Sequence, residues 1–128
     1  MALLLDTHAF LWWVDDSPRL SKRARAAIGR SDATCYLSLA SCWEMAIKIS
    51  LGRLQLAQRL DRFVAEHMAA NGLHPLGVQL PHAARVVDLP FHHRDPFDRL
   101  LAAQAIEEGL SIVSADPVFT RYGVKRIW

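Results

Sequence analysis

Asp6, Glu44, Asp98 and Asp116 stand where an apolar run gives way to a turn or where a helix-like segment begins. Asp6 follows Leu3-Leu4-Leu5, and Glu44 closes Ser41-Cys42-Trp43-Glu44. Asp98 closes Asp95-Pro96-Phe97-Asp98, and Asp116 follows Ile112-Val113-Ser114-Ala115. In a parallel α/β sheet the carboxyl ends of the strands share one edge, so acids placed just past several strands converge there. Carboxylates gathered in one crevice repel one another unless a cation joins them. A hard divalent ion such as Mg²⁺ is the natural partner, because it takes oxygen ligands together with water and phosphate. The chemistry this pattern supports is metal-dependent attack on a phosphodiester.

Each acid also has a purely structural role open to it. Asp6 before Thr7 can cap a helix, and Ser41-x-x-Glu44 has the form of a capping box, with Lys48 placed for an i,i+4 ion pair to Glu44. Asp95-Pro96 reads as an N-cap followed by proline at the first helical position, and Asp98 would then favour the helix dipole. Asp116-Pro117 can open a turn. Capping, however, is served as well by Ser, Thr or Asn, and this chain places an acid at all of these positions. Lys48, Arg53, Arg94 and Arg99 lie near the acidic segments as candidate phosphate contacts, with solvated surface charge as the competing role. His92 and His93 flank the third acidic segment and could touch phosphate or orient water, although adjacent loop histidines are commonly just solvated. No histidine or cysteine spacing has the form of a zinc site.

The elements that must position these residues follow from hydrophobic periodicity. Strands are expected at Ala2–Leu5, Thr34–Leu39, His74–Val78, Leu110–Ser114 and Val124–Trp128. Helices are expected at His8–Val14, Ser21–Arg30, from Ser41 to Leu51, along Leu56, Leu60, Phe63, Val64, His67 and Met68, and at Pro81–Val87 and Pro96–Glu108. Gly52, Asn71-Gly72 and Gly109 supply the helix stops. This alternation implies a mostly parallel sheet of about five strands with helices on both faces. Right-handed crossovers then put the acid-bearing strand ends on one side. Trp12-Trp13 offers more aromatic surface than a small core needs, which suggests an interface for one ring.

A chain of 128 residues is expected to form one domain, 1–128, with a core large enough to need no disulfide staples. The hydrophobic fraction of 52% and charged fraction of 22% are those of an ordinary soluble domain. Cys35 and Cys42 form no Cys-x-x-Cys pair, which argues against zinc and against a secreted disulfide framework. The apolar run before Asp6 is too short for a signal peptide or a membrane span, so a cytoplasmic location is expected. A net charge of +2 and a pI near 8.8 do not decide the partner, since acids at the site offset basic residues elsewhere.

With these segments assembled, the chain resembles the PIN-domain family, and within it the VapC-type ribonuclease toxins. The resemblance rests on Leu3-Leu4-Leu5-Asp6-Thr7-His8 and on Ser38-Leu39-Ala40-Ser41-Cys42-Trp43-Glu44-Met45-Ala46-Ile47-Lys48. It continues through His93-Arg94-Asp95-Pro96-Phe97-Asp98-Arg99-Leu100-Leu101-Ala102-Ala103-Gln104-Ala105 to Val113-Ser114-Ala115-Asp116. Each motif is weak alone; the set in order spans nearly the whole chain. The resemblance implies a three-layer α/β/α sandwich and a homodimer. It implies Mg²⁺- or Mn²⁺-dependent RNA cleavage restrained by a cognate antitoxin. It also places Asp6, Glu44, Asp98 and Asp116 on the family's acidic quartet, as catalytic residues and metal ligands, with Asp6 and Asp98 the first choices. Asp98 is preferred to Asp95 because it directly precedes the small-residue helix, which leaves Asp95 as the cap. Thr7 and Ser38 or Ser41 are candidate hydroxyls for orienting the carboxylates.

Rival readings make different demands. A phosphoacceptor receiver domain needs an acidic pair after the first strand, whereas Asp6 is alone. A haloacid-dehalogenase phosphatase needs an acid where His8 stands. A catalytically silent PIN-like binding module would have lost acids that this chain keeps. Recognition of single-stranded RNA commonly uses aromatic platforms, and the sequence alone assigns none here.

Overall fold

The computed structural model describes residues 1–128. The chain runs β1 (Ala2–Leu5), α1 (Thr7–Val14), α2 (Lys22–Gly29), β2 (Thr34–Ser38), α3 (Leu39–Ser50), α4 (Leu60–Asn71) and β3 (His74–Leu76). It continues through α5 (Leu80–Val87), α6 (Pro96–Glu108), β4 (Ser111–Val113), α7 (Val118–Arg121) and β5 (Arg126–Ile127). The strands form one sheet in the order β3-β2-β1-β4-β5, and every pairing is parallel.

The leucines of β1 show why the sheet is covered on both sides. Leu3, Leu4 and Leu5 are all fully buried, as expected for a central parallel strand. Leu3 and Leu5 join a core with Phe10 of α1, Ile28 of α2, Met45 of α3 and Phe63 of α4. Leu4 points the other way and meets Leu101 and Ala102 of α6 and Phe119 of α7. The result is the expected three-layer α/β/α sandwich, with a sheet that is parallel throughout. No helix is long and apolar enough to cross a membrane.

Most expected elements are present with shifted ends. Gly72 and Gly109 terminate α4 and α6 in the left-handed conformation, with φ of 62° and 67°, where a Cβ would be strained. The fourth helix begins at Leu60 rather than at Leu56. Leu54 and Leu56 instead lie against the first core from a non-helical stretch. The expected start of α3 at Ser41 is corrected. The helix begins at Leu39, capped by the Ser38 hydroxyl, which accepts from the Ala40 N–H at 3.0 Å. The strand therefore passes into the helix with no intervening loop. Trp12 and Trp13 are both half-buried within the chain. Trp13 donates to Asn71 at 3.0 Å, and Trp12 lies between His8 and Trp128.

β1 leads onward to β2 on one side and pairs with β4 on the other, so the strand order reverses beside β1. In open parallel sheets, this reversal opens a crevice at the carboxyl ends of the strands. Asp6 immediately follows β1 at that crevice, and Asp116 follows β4.

Candidate active site

A cavity of about 440 Å³ lies at this sheet edge and is lined by Asp6, Glu44, Asp98 and Asp116, with Lys48 and His93 among the other walls. Four different connections deliver the acids. Asp6 follows β1 and caps α1, its carboxylate accepting from the Ala9 N–H at 2.8 Å. Glu44 comes from α3, Asp98 from the first turn of α6, and Asp116 from the segment between β4 and α7.

The start of α3 at Leu39 puts Glu44 six residues into the helix, too deep for the capping box that Ser41 and Glu44 suggest in sequence. Its carboxylate is held from both sides instead. The Thr7 hydroxyl donates to Oε1 at 2.7 Å, and the Lys48 ammonium lies 2.8 Å from Oε2. Ser41 is fully buried, and its Oγ finds no hydrogen-bond partner.

Asp95 caps α6, accepting from the Phe97 N–H at 2.9 Å. This leaves Asp98, one turn further on, to face the cleft. His93 ties Asp98 to Asp116. Its Nε2 lies 3.0 Å from an oxygen of each carboxylate, and its Nδ1 accepts from the Asp95 N–H at 3.1 Å. With Nδ1 committed as an acceptor, the neutral ring carries its proton on Nε2 and donates it towards the acids. The chain thus places a proton donor at the point where two carboxylates approach. His92, its neighbour, packs on Tyr122 instead.

Electrostatics set Asp6 and Asp98 apart from the surface acids. Burial raises the carboxyl of Asp6, against the opposing effects of the Ser114 hydroxyl and the Ala9 N–H. Asp98 is pushed up to about 7, first by burial and then by the charge of Asp95. His93 opposes this rise, while Asp6 and Glu44 add to it. Both shifts come first from burial, which disfavours the charged carboxylate, with repulsion from neighbouring acids adding to it.

This donor set fits a hard divalent cation. Oxygens of Asp98 and Asp116 and the Nε2 of His93 all lie within 4.8 Å of one another. The hydrogen bond at Nδ1 assigns His93 as a donor to the carboxylates rather than as a nitrogen ligand. Asp6 and Glu44 line the same cavity outside that tight group.

The basic candidates separate. Lys48 lies in the cleft on Glu44, whereas Arg94, exposed between His93 and Asp95, is not among the cleft's lining residues. Arg99 points inward and is only 6% exposed. Its guanidinium donates to the carbonyls of Val86, Leu89 and Pro90, with the Phe91 ring 4.1 Å away. These bonds fasten the last turn of α5 and the segment after it, and turn Arg99 away from the phosphate-binding role its sequence position suggests. His93 is the residue the sequence reading undervalued. Its position two residues before the cap Asp95 is the one local signal that it belongs with the acids.

A doubly covered parallel sheet with a cation-fitting acidic cleft beside its topological reversal is an arrangement that suits metal-dependent phosphodiester chemistry. Residues 3–125 match the PIN domain, and the chain belongs to that family. Over 118 residues it is 36% identical to the ribonuclease VapC22 of Mycobacterium tuberculosis, a match covering 89% of this chain and 86% of that protein. Among solved structures, VapBC2 from Rickettsia felis bound to a promoter DNA fragment superposes with a TM-score of 0.73 at 13% identity, covering 98% of this chain and 97% of that one. DNA-bound VapBC from Salmonella typhimurium superposes with a TM-score of 0.67 at 18% identity, covering 98% and 96%. At these identities the structural likeness establishes the shared fold.

Proposed function

We propose that residues 1–128 form a single nuclease domain that hydrolyses RNA phosphodiester bonds, as the toxin of a toxin–antitoxin pair. The convergence of Asp6, Glu44, Asp98 and Asp116 on one cleft carries this reading, and the relative named as a ribonuclease supports it. Mg²⁺ or Mn²⁺ is the proposed cofactor, held by Asp98 and Asp6 with Asp116 and Glu44 completing the donor set. When bound, it lowers the pKa of a coordinated water and stabilises charge on the phosphoryl oxygens. Thr7 and Lys48 hold the Glu44 carboxylate in a fixed orientation, so that it meets substrate or water without reorganising. His93 holds Asp98 and Asp116 at a common point. Arg94 and Lys48 are the proposed phosphate contacts, while the Ser41 hydroxyl, expected to orient a carboxylate, makes no contact with one.

The test is RNA cleavage by purified protein with Mg²⁺ and with EDTA. Cleavage should require the metal. Asp98→Asn keeps the size of the side chain and removes an anionic ligand, so it should lower the rate at least a hundredfold. A variant cutting at the wild-type rate would remove Asp98 from the site.

A free ribonuclease in the cytoplasm harms its own cell, so the reading includes a cognate antitoxin. One solved neighbour of the same fold, from Klebsiella pneumoniae, is described as a toxin–antitoxin complex, which supports such a partner. Leu39 and Trp43 on α3 are 50% and 63% exposed, and large exposed side chains of this kind suit coverage by a partner or by a second copy in a homodimer. Expression of this chain alone should arrest growth, and Asp6→Ala should relieve the arrest. Undisturbed growth with active protein accumulating would count against the toxin role.

A further inference from the structure

The acidic cleft continues into a second cavity of about 430 Å³, and Thr7, His8 and Lys48 line both. Away from the acids, the wall becomes apolar, with Leu54, Leu56 and Phe63. At the junction stands an aromatic surface. The exposed His8 ring lies nearly parallel to Trp12, one turn along α1, with centroids 5.3 Å apart and an interplanar angle of 14°. Trp12 is backed in turn by Trp128 at 5.7 Å. Arg53, on the same cavity, is exposed and outside the molecule's ion pairs.

We propose that this cavity is a nucleotide subsite for single-stranded RNA, taking the residue next to the scissile phosphate. Its base would lie against the His8–Trp12 stack and the apolar wall, with the following phosphate at Arg53. The inference rests on the ribonuclease reading and names how the strand is held. Single-stranded nucleic acid alternates a flat π-face with a charged phosphate, and proteins meet it with aromatic platforms and interspersed cations. The cavity offers an aromatic platform and, besides the Lys48 paired with Glu44, one free cation in Arg53, in continuity with the cleft where the bond would break. Asp15 on the same wall argues against a generally basic track, so the subsite depends on stacking plus a single ionic contact.

The experiment uses full-length protein and a single-stranded RNA octamer that wild type cuts with Mg²⁺. His8→Ala and Arg53→Ala are compared with Arg23→Ala, an exposed arginine beside another cavity. Affinity is read by fluorescence anisotropy in the Asp98→Asn background, and KM and kcat in the otherwise native chain. Loss of a stacked base or of its phosphate contact should raise Kd and KM roughly tenfold, with kcat nearly unchanged. Arg53→Ala should also reduce the slope of log K against log salt by about 0.7, and His8→Ala should leave that slope alone. Arg23→Ala should match wild type.

Wild-type Kd and KM in both cavity variants would overturn the subsite while leaving the ribonuclease reading intact. That result would assign the groove to another occupant, such as a protein segment. A fall in kcat with unchanged KM would also overturn it, by placing these residues at the reacting centre. Failure of wild type to cut any RNA would remove the ribonuclease reading itself.

Discussion

Asp98 carries the sharpest physical signature of the cleft, and the sign of its effect can be worked out. Its carboxyl is raised to about 7 from an ordinary 3.8. Between those values the folded chain holds a proton that the unfolded chain has released. The contribution of Asp98 to the stability of the metal-free protein therefore falls as pH rises through this window. Burial shifts Asp6 in the same direction. Asn at position 98 cannot ionise, so Asp98→Asn should flatten much of the slope. Melts in EDTA at pH 5 and pH 8 should show the variant gaining on wild type by on the order of 1–3 kcal/mol. An unchanged gap would mean that burial and its acidic neighbours do not raise this carboxyl on folding. At this scale the sequence shows Asp6 and Asp116 clearly, because each ends an unmistakable apolar strand. His93 is not legible in the same way. Its meeting with Asp116 crosses 23 positions and depends on how the loop before α6 folds. Arg99 misleads for a related reason: one residue beyond Asp98, it has turned about 100° around the helix and faces loop carbonyls.

The helices sort caps from site acids, and α6 carries one of each. Asp95 accepts the Phe97 N–H as the cap, whereas Asp98 presents its carboxylate to the cleft. At pH 5, where Asp98 holds its proton, Asp95→Ala should destabilise the chain by about 1 kcal/mol. Asp95→Asn should cost only a few tenths, because the amide oxygen still caps. Equal losses in chemical denaturation would mean that the charge of Asp95, rather than its hydrogen bond, matters. The opposite lesson comes from α3. Ser41 and Glu44 have the spacing of a capping box, and local chemistry alone cannot choose between that and a start at Leu39. Tertiary packing chooses. Met45 is fully buried in the first core, and the parallel pairing of β2 runs through Leu37 and Ser38, leaving Ser38 to cap. The four-residue α7 is too short for periodicity to reveal, and only its opening turn at Asp116-Pro117 is legible.

For the whole molecule, the sheet order makes metal binding a matter of folding. The acids come from segments more than 100 positions apart, from Asp6 to Asp116, and meet only when β1 pairs with β4 and both helical layers are in place. The unfolded chain has no such site, so a divalent ion stabilises the native state alone, by RT ln(1 + [L]/Kd). At a hundred times Kd this is about 2.7 kcal/mol, which for a domain of this size raises the melting temperature by on the order of 10 °C. Saturating Mn²⁺ or Mg²⁺ should therefore shift wild type upward relative to EDTA. The shift should be much smaller in Asp98→Asn and in Asp6→Ala. Asp32→Asn should keep the full shift, since Asp32 is an exposed acid paired with Arg30 far from the cleft. The comparison separates ligation from general screening of charge, because screening would raise all four proteins alike. An equal metal-dependent rise in wild type and both cleft variants would leave the acidic cluster without a cation of its own.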